Sequence, residues 1–170
     1  MADLILAREA RPATAHHTVT QPAMPSQDDA SIHRLLLATD LSPASESATV
    51  EAIALAKRRD ADLVVLSVVD PRRLRLPGGP FVRRADQERA ELLSGVQAIV
   101  VRARSAGVRA TFLVWEGDPA ETIIAASESE AADVIVMGSH GRGRIERLLL
   151  GSTSKRVSDE ARCRVIVVPS

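Results

Sequence analysis

The residues best suited to chemistry lie together late in the chain, in Gly138-Ser139-His140-Gly141-Arg142-Gly143-Arg144-Ile145-Glu146-Arg147-Leu148-Leu149-Leu150-Gly151-Ser152-Thr153-Ser154. Gly138, Gly141 and Gly143 follow a short apolar run, Asp133-Val134-Ile135-Val136-Met137, that reads as a buried strand. Without Cβ atoms, the backbone past that strand can turn sharply and come close to a ligand. Gly151-Ser152-Thr153-Ser154 then reads as a helix start, with a hydroxyl N-cap ahead of Lys155, Arg156 and Val157. Free N–H groups at such a start, together with the helix dipole, favour a phosphate. The segment departs from the Walker A loop, because Arg144-Ile145 stand where that loop has its Lys and its hydroxyl. G-x-G-x-x-G occurs only in reversed order, with no acidic residue about 20 positions on. Glycine turns and hydroxyl caps also occur in plain connections, so these residues alone leave a tight turn and a phosphate cradle evenly matched.

Around this segment the chain alternates apolar runs with amphipathic stretches. Leu35-Leu36-Leu37-Ala38 is a continuous apolar run, as expected of a strand covered on both faces. It ends in Thr39-Asp40-Leu41-Ser42-Pro43, where Ser42 can cap and Pro43 fits the first helical position. The helix that follows should run to about Arg59, with Ala48, Ala52, Leu55 and Ala56 inward and Lys57, Arg58 and Arg59 at its negative end. Leu63 to Val69 is a second buried strand, and Asp70 to Phe81, with Pro71, Pro77, Gly78, Gly79 and Pro80, reads as a loop. Its arginines (Arg72, Arg73, Arg75, then Arg83 and Arg84) suit solvent, or one of them could swing over a phosphate.

A longer helix is expected from about Arg84 to Ser105, with Leu93, Val96, Val100 and Ala103 on one stripe and Gly107 ending it. Val108 to Trp115 is a third strand. Asp118, Pro119 and Glu121 then form a helix start of capping-box type, which assigns Asp118 and Glu121 to structure. Strands Asp133–Met137 and Val165–Val168 complete a β-α-β-α-β-α-β-α-β order. That order predicts a parallel α/β sheet with helices on both faces and ligands gathering beyond the carboxyl ends of the strands. The edge so defined presents Thr39-Asp40, Val68-Val69-Asp70, Trp115-Glu116-Gly117 and Met137-Gly138.

Composition narrows the classes of function. The 170 residues fit one domain, and 22 basic against 22 acidic residues leave no basic excess for nucleic acid. Two Phe, one Trp and no Tyr leave no platform for base stacking along a strand of nucleic acid. The single Cys163 excludes an intrachain disulfide and reads as a structural thiol. No apolar run approaches the ~18 residues of a membrane span, so a cytoplasmic protein is expected. Residues 1–30, with Pro12, Pro22, Pro25 and His16-His17, show no period and read as a flexible extension ahead of a domain at 31–170. No metal site is expected.

Leu35-Leu36-Leu37-Ala38-Thr39-Asp40-Leu41-Ser42, Val64 to Asp70, the spacing Gly138-x2-Gly141-x9-Gly151-Ser152 and the closing Val165-Ile166-Val167-Val168-Pro169 together resemble the universal stress protein family over about residues 32–169. The resemblance implies a Rossmann-like, five-stranded parallel sheet of order 3-2-1-4-5. The glycine spacing resembles the ATP-binding branch. Position by position, it implies Asp40 beside the adenosine, Ala38 and Thr39 lining the pocket, and Val68 as a backbone contact to adenine. Met137 would lead into the loop, Gly138 and Gly141 would meet ribose and phosphate, and Gly151, Ser152 and Thr153 would hold the phosphates. Arg142 adds a cation beside them.

The implied ligand is ATP, which in cells normally carries Mg²⁺, and the implied assembly is a homodimer through Val165–Val168. The leading function is an ATP-binding regulatory or stress-survival factor without a catalytic residue. A slow nucleotide hydrolase or phosphotransferase is the alternative, for which His140 is the one histidine in the loop and a lone loop histidine is a poor candidate base. A nucleotide-free interaction module is the second alternative. The charge balance, the few aromatics and the short apolar runs point to no nucleic-acid or membrane partner.

Overall fold

Leu35, Leu36 and Leu37 have no exposed surface, and a strand that is apolar on both faces needs cover on both. The computed structural model describes residues 31–74, 81–139 and 151–169. In it those leucines form β1 (Arg34–Ala38), the middle strand of a sheet completed by β2 (Asp62–Val69), β3 (Ala110–Glu116), β4 (Val134–Gly138) and β5 (Arg164–Val168). The order is β3-β2-β1-β4-β5 with every pairing parallel, as expected. The helices are α1 (Glu46–Arg59), α2 (Pro71–Leu74), α3 (Phe81–Ser105), α4 (Pro119–Ser129) and α5 (Ser152–Glu160). Among the described residues no helix is long and apolar enough to cross a membrane.

Strand alternation sorts the core into two layers. Leu35, Leu37, Leu63, Val65 and Val136 pack under Ala48, Ala52, Leu55 and Ala56 of α1 and Val96, Val100 and Ala103 of α3. Leu36, Val64, Leu66, Ile135 and Met137 pack under Ala120, Ile123 and Ala126 of α4 and Val157 of α5. The start of β1 is held from the far end of the chain. Asp133 Oδ2 accepts the backbone N–H groups of His33 (2.8 Å) and Arg34 (2.9 Å), which seats β1 beside β4.

Several local expectations are corrected. Pro43 does open the helical stretch, but through a 3₁₀ turn, Pro43–Ser45, and Ser42 makes no side-chain cap. The supposed loop after β2 contains α2, and α3 begins at Phe81 rather than near Arg84. Residues 75–80 and the extension 1–30 lie outside the described residues. Leu93 is 38% exposed while Leu92, at 2%, takes the inward position. The buried stripe runs Leu92, Val96, Ile99, Ala103, the i, i+4, i+7, i+11 spacing of a helix face.

The connection from β1 to α1 carries a backbone cost. Leu41 has φ 60°, in the left-handed region that disfavours branched side chains. Its side chain is pressed against α3 at Gly95, where a Cβ would collide with Leu41 Cδ1. A glycine inside a helix lowers helix propensity by about 1 kcal/mol, so the notch at Gly95 has a packing reason. Gly95→Val should therefore destabilise the fold by about 1–3 kcal/mol through overpacking, despite the gain in propensity. Urea unfolding measures this, and an unchanged midpoint would show that Leu41 can move aside freely.

Candidate functional site

Two crossovers leave β1 and β4 in opposite directions in a 3-2-1-4-5 sheet, so a crevice opens between their carboxyl ends. Ala38 is in register with Leu66 on one side and Met137 on the other. Ala38, Val68 and Met137 belong to the α4/α5 face. The structure thus brings Ala38, Thr39, Asp40, Val68, Met137 and Gly138 to the ends of three neighbouring strands. Gly141 and Arg142, with His140, lie outside the described residues.

The β1 end is a tight polar knot. Asp40 Oδ1 accepts the Ser42 N–H (3.1 Å) and the Ser42 hydroxyl (2.7 Å). Thr39 Oγ1 accepts the Leu41 N–H (3.1 Å) and shares a 3.0 Å hydrogen bond with Ser45 Oγ. Ser45 donates its own proton to the Ser42 carbonyl (2.8 Å), so Thr39 is the donor in the Thr39–Ser45 bond. The Thr39 N–H reaches the Leu66 carbonyl and its carbonyl accepts the Ser67 hydroxyl. Thr39 is buried, and these polar groups act inside the loop, holding Asp40 at the rim.

The other wall is the start of α5. Its N-cap is Gly151, with no side-chain cap, which corrects the expected hydroxyl cap. The first helical bond runs from Lys155 N–H to the Gly151 carbonyl. The amides of Ser152, Thr153 and Ser154 precede it, in the turn that an α-helix leaves without internal partners. Ser139 fixes this turn to the sheet. Its N–H donates to the Val168 carbonyl (2.9 Å), and its carbonyl accepts the Gly151 N–H (2.8 Å) and the Ser154 hydroxyl (3.0 Å). The helix start is therefore seated directly beyond β4 and β5.

A third feature escaped the sequence. Asp70, 7% exposed, accepts the Arg72 N–H and Nε (3.0 Å each), and Arg72 Nη2 lies 2.9 Å from Asp118 Oδ2. Asp118 Oδ1 caps α4 at Ala120 N–H (3.1 Å) and Glu121 N–H (3.2 Å) and accepts from Arg156 (3.2 Å). Arg156 also pairs with Glu121 and Glu160, so Glu121 carries an ion pair besides giving its N–H to the Asp118 cap. Hydrogen bonds to these carboxylates raise both guanidinium pKa values, chiefly through Asp70 for Arg72 and Glu121 for Arg156. Arg72, read as a solvated loop cation, instead bridges the ends of β2 and β3. The Asp70-x-Arg72 spacing was a usable signal; nothing local connects Asp118 with Arg156.

Elsewhere the chemistry is quieter. Burial pushes the Cys163 thiol up, which suppresses the thiolate and suits a structural residue. Among the described residues no group of His, Cys, Asp or Glu is arranged to hold a metal ion. A 740 Å³ groove opens at the opposite strand edge. There Arg34 is bonded to the Glu130 carbonyl, Arg104 to the Ala110 carbonyl and Arg109 to Asp60 and Asp62.

Residues 31–169 match the model of the universal stress protein family. A universal stress protein of Methanocaldococcus jannaschii is 34% identical over 144 residues, covering 79% of this chain and 81% of that one. One from Thermus aquaticus is 38% identical over 137 residues, covering 79% and 96%. The chain belongs to the universal stress protein family. Among solved structures, UspA from Lactobacillus plantarum has a TM-score of 0.74 at 27% identity, over 82% of this chain and 99% of its own. Two more distant structures share the fold at 21% identity. One is a universal stress protein in complex with cAMP (TM-score 0.63, covering 82% and 98%), the other the Archaeoglobus fulgidus protein in complex with dAMP (0.61, covering 81% and 98%).

Asp118 is both a cap and an ionic hub, and substitutions separate the two. Asp118→Ala should cost about 1–2 kcal/mol through the lost cap, whereas Asp118→Asn, an equally good cap, should cost much less. Chemical denaturation of both variants is the check; equal losses would mean the ion pairs, not the cap, carry the stability.

Proposed function

We propose that this chain is an ATP-binding regulatory member of its family, with the nucleotide lying across the crevice between β1 and β4. The observation that carries the reading is the first turn of α5. Three backbone amides and two hydroxyls, Ser152 and Thr153, follow a glycine cap, and Ser139 holds that turn at the rim of the sheet. Such a turn suits phosphate oxygens. Asp40 stands at the end of β1, where a carboxylate suits sugar hydroxyls. Ala38, Val68 and Met137 offer apolar surface on the same face. The complexes of two proteins of this fold with cAMP and dAMP support an adenine nucleotide.

In this reading Gly138, Gly141, Gly151, Ser152 and Thr153 meet ribose and phosphates, Thr39 holds the Asp40 loop, and Arg142 adds positive charge, with Mg²⁺ arriving on the ATP. Mass spectrometry of the natively purified protein is the first test: retained ATP supports the proposal, and steady appearance of ADP favours a slow hydrolase. Gly141→Val should lower ATP affinity at least tenfold, about 1.4 kcal/mol, with the fold intact. Unchanged affinity in equilibrium titration would remove Gly141 from the site.

The reading includes a homodimer. Among the described residues β5 pairs only with β4, and Val165, Ile166, Val167 and Val168 are each left partly exposed. An apolar sheet edge invites pairing, and a two-fold partner running antiparallel along β5 would cover both edges at once. Arg164 would sit at the rim of that contact. Ile166→Lys and Val167→Lys, one on each face, should shift sedimentation toward the monomer in analytical ultracentrifugation, with circular dichroism checking the fold. A parent protein that stays monomeric at high micromolar concentration overturns this assembly.

A further inference from the structure

The sheet carries one large aromatic side chain at its carboxyl rim. Trp115, the only tryptophan of the chain, lies in β3 in register with Val68 of β2. Both side chains are partly buried and pack against the α4/α5 layer together with Ala38, Met137 and Leu66. The register arranges these residues in two rows across the sheet. Met137, Ala38, Leu66 and Leu113 form the lower row. Two residues beyond this row come Val68 on β2 and Trp115 on β3, while Asp40 follows the end of β1. Parallel strands are spaced by about 4.8 Å, so β3 with Trp115 stands about 10 Å across the sheet from β1, after which Asp40 comes. That is comparable with the reach of a nucleoside from sugar to base.

The upper row is also braced. Gly117 N–H continues the ladder to the Val69 carbonyl (3.0 Å), and Gly117 has φ 154° with Thr122 Oγ1 2.6 Å from where a Cβ would stand. The Asp70–Arg72–Asp118 bridge ties together the residues that follow Val68 and Trp115. The spacing of that pair is therefore set by the scaffold.

We propose that Trp115 is a specificity-determining residue that walls the base end of the crevice, so that the ligand selected there carries a planar aromatic base and not phosphate alone. The inference rests on the nucleotide reading above. With the sugar beside Asp40 and the phosphates at α5, the base lies over Val68 and meets the indole. A base can stack on an aromatic side chain because every base has a π-face.

The position of Trp115 supplies its own probe. The protein is titrated with ATP, adenosine and inorganic tripolyphosphate, each followed by calorimetry and by tryptophan emission. ATP and adenosine should alter Trp115 emission and tripolyphosphate should not. Trp115→Leu should weaken ATP at least tenfold while leaving tripolyphosphate within twofold, and Trp115→Phe should retain most of the ATP affinity. ATP that binds by calorimetry with unchanged emission, and with equal affinity in Trp115→Leu, overturns this inference and leaves the proposed function standing. Equal loss of ATP and tripolyphosphate in Trp115→Leu also overturns it, since the indole would then act through the fold. Absence of ATP binding in the parent overturns both.

Discussion

Burial of β1 on both faces is the constraint on which the rest of the molecule depends. Three consecutive leucines without exposed surface require a layer of helices on each side and a strand on each flank. Once β1 is central, polar residues can appear only where it leaves the sheet. Thr39 and Asp40 follow immediately, and the hydroxyls of Ser42 and Ser45 bind to them. The site edge is thus a by-product of the core: the crevice lies where the two halves of the sheet diverge from their shared strand.

Two unlike anchors keep that edge in shape. On the β1 side a residue in the left-handed region, Leu41, is tolerated because Gly95 leaves room for its side chain. On the β4 side the Ser139 backbone reaches both the Val168 carbonyl and the first turn of α5. Asp70, Arg72, Asp118 and Arg156 add a polar brace across the β2 and β3 ends. Most of these groups are partly exposed, so the brace matters more for where residues sit than for how stable the fold is.

Much of this was legible in the chain because it follows from periodicity and the backbone. Apolar runs at Leu35–Ala38 and, interrupted by Ser67 alone, at Leu63–Val69 mark strands buried on both faces, and Asp118-Pro119 marks a helix start whose cap the structure reproduces. The order of strands came from the resemblance, because periodicity says which segments are strands but not which are neighbours. Less legible features depend on contacts between distant residues. The inward choice between Leu92 and Leu93 is settled by how α3 rolls on the sheet, and the notch at Gly95 makes sense only once Leu41 is seen against it. Arg156 and Asp118 are 38 residues apart, with no local pattern to connect them. The hydroxyls Ser152–Ser154 marked where α5 starts but not its cap, which is Gly151, a residue with no side chain to fold back on the first amides.

The clamp between Asp133 and the start of β1 has a kinetic meaning. It joins residues 99 and 100 positions apart, and the β1–β4 ladder beside it spans the same separation. Pairing of β1 with β2 closes a short loop, whereas pairing with β4 must wait for most of the chain, and contacts so far apart slow folding. The half of the sheet containing β1, β2 and β3 can therefore gather first, with β4 and β5 docking onto it late. The crevice lies on that late seam. A ligand bound there would recognise only the completed fold and would hold the β1–β4 junction against reopening.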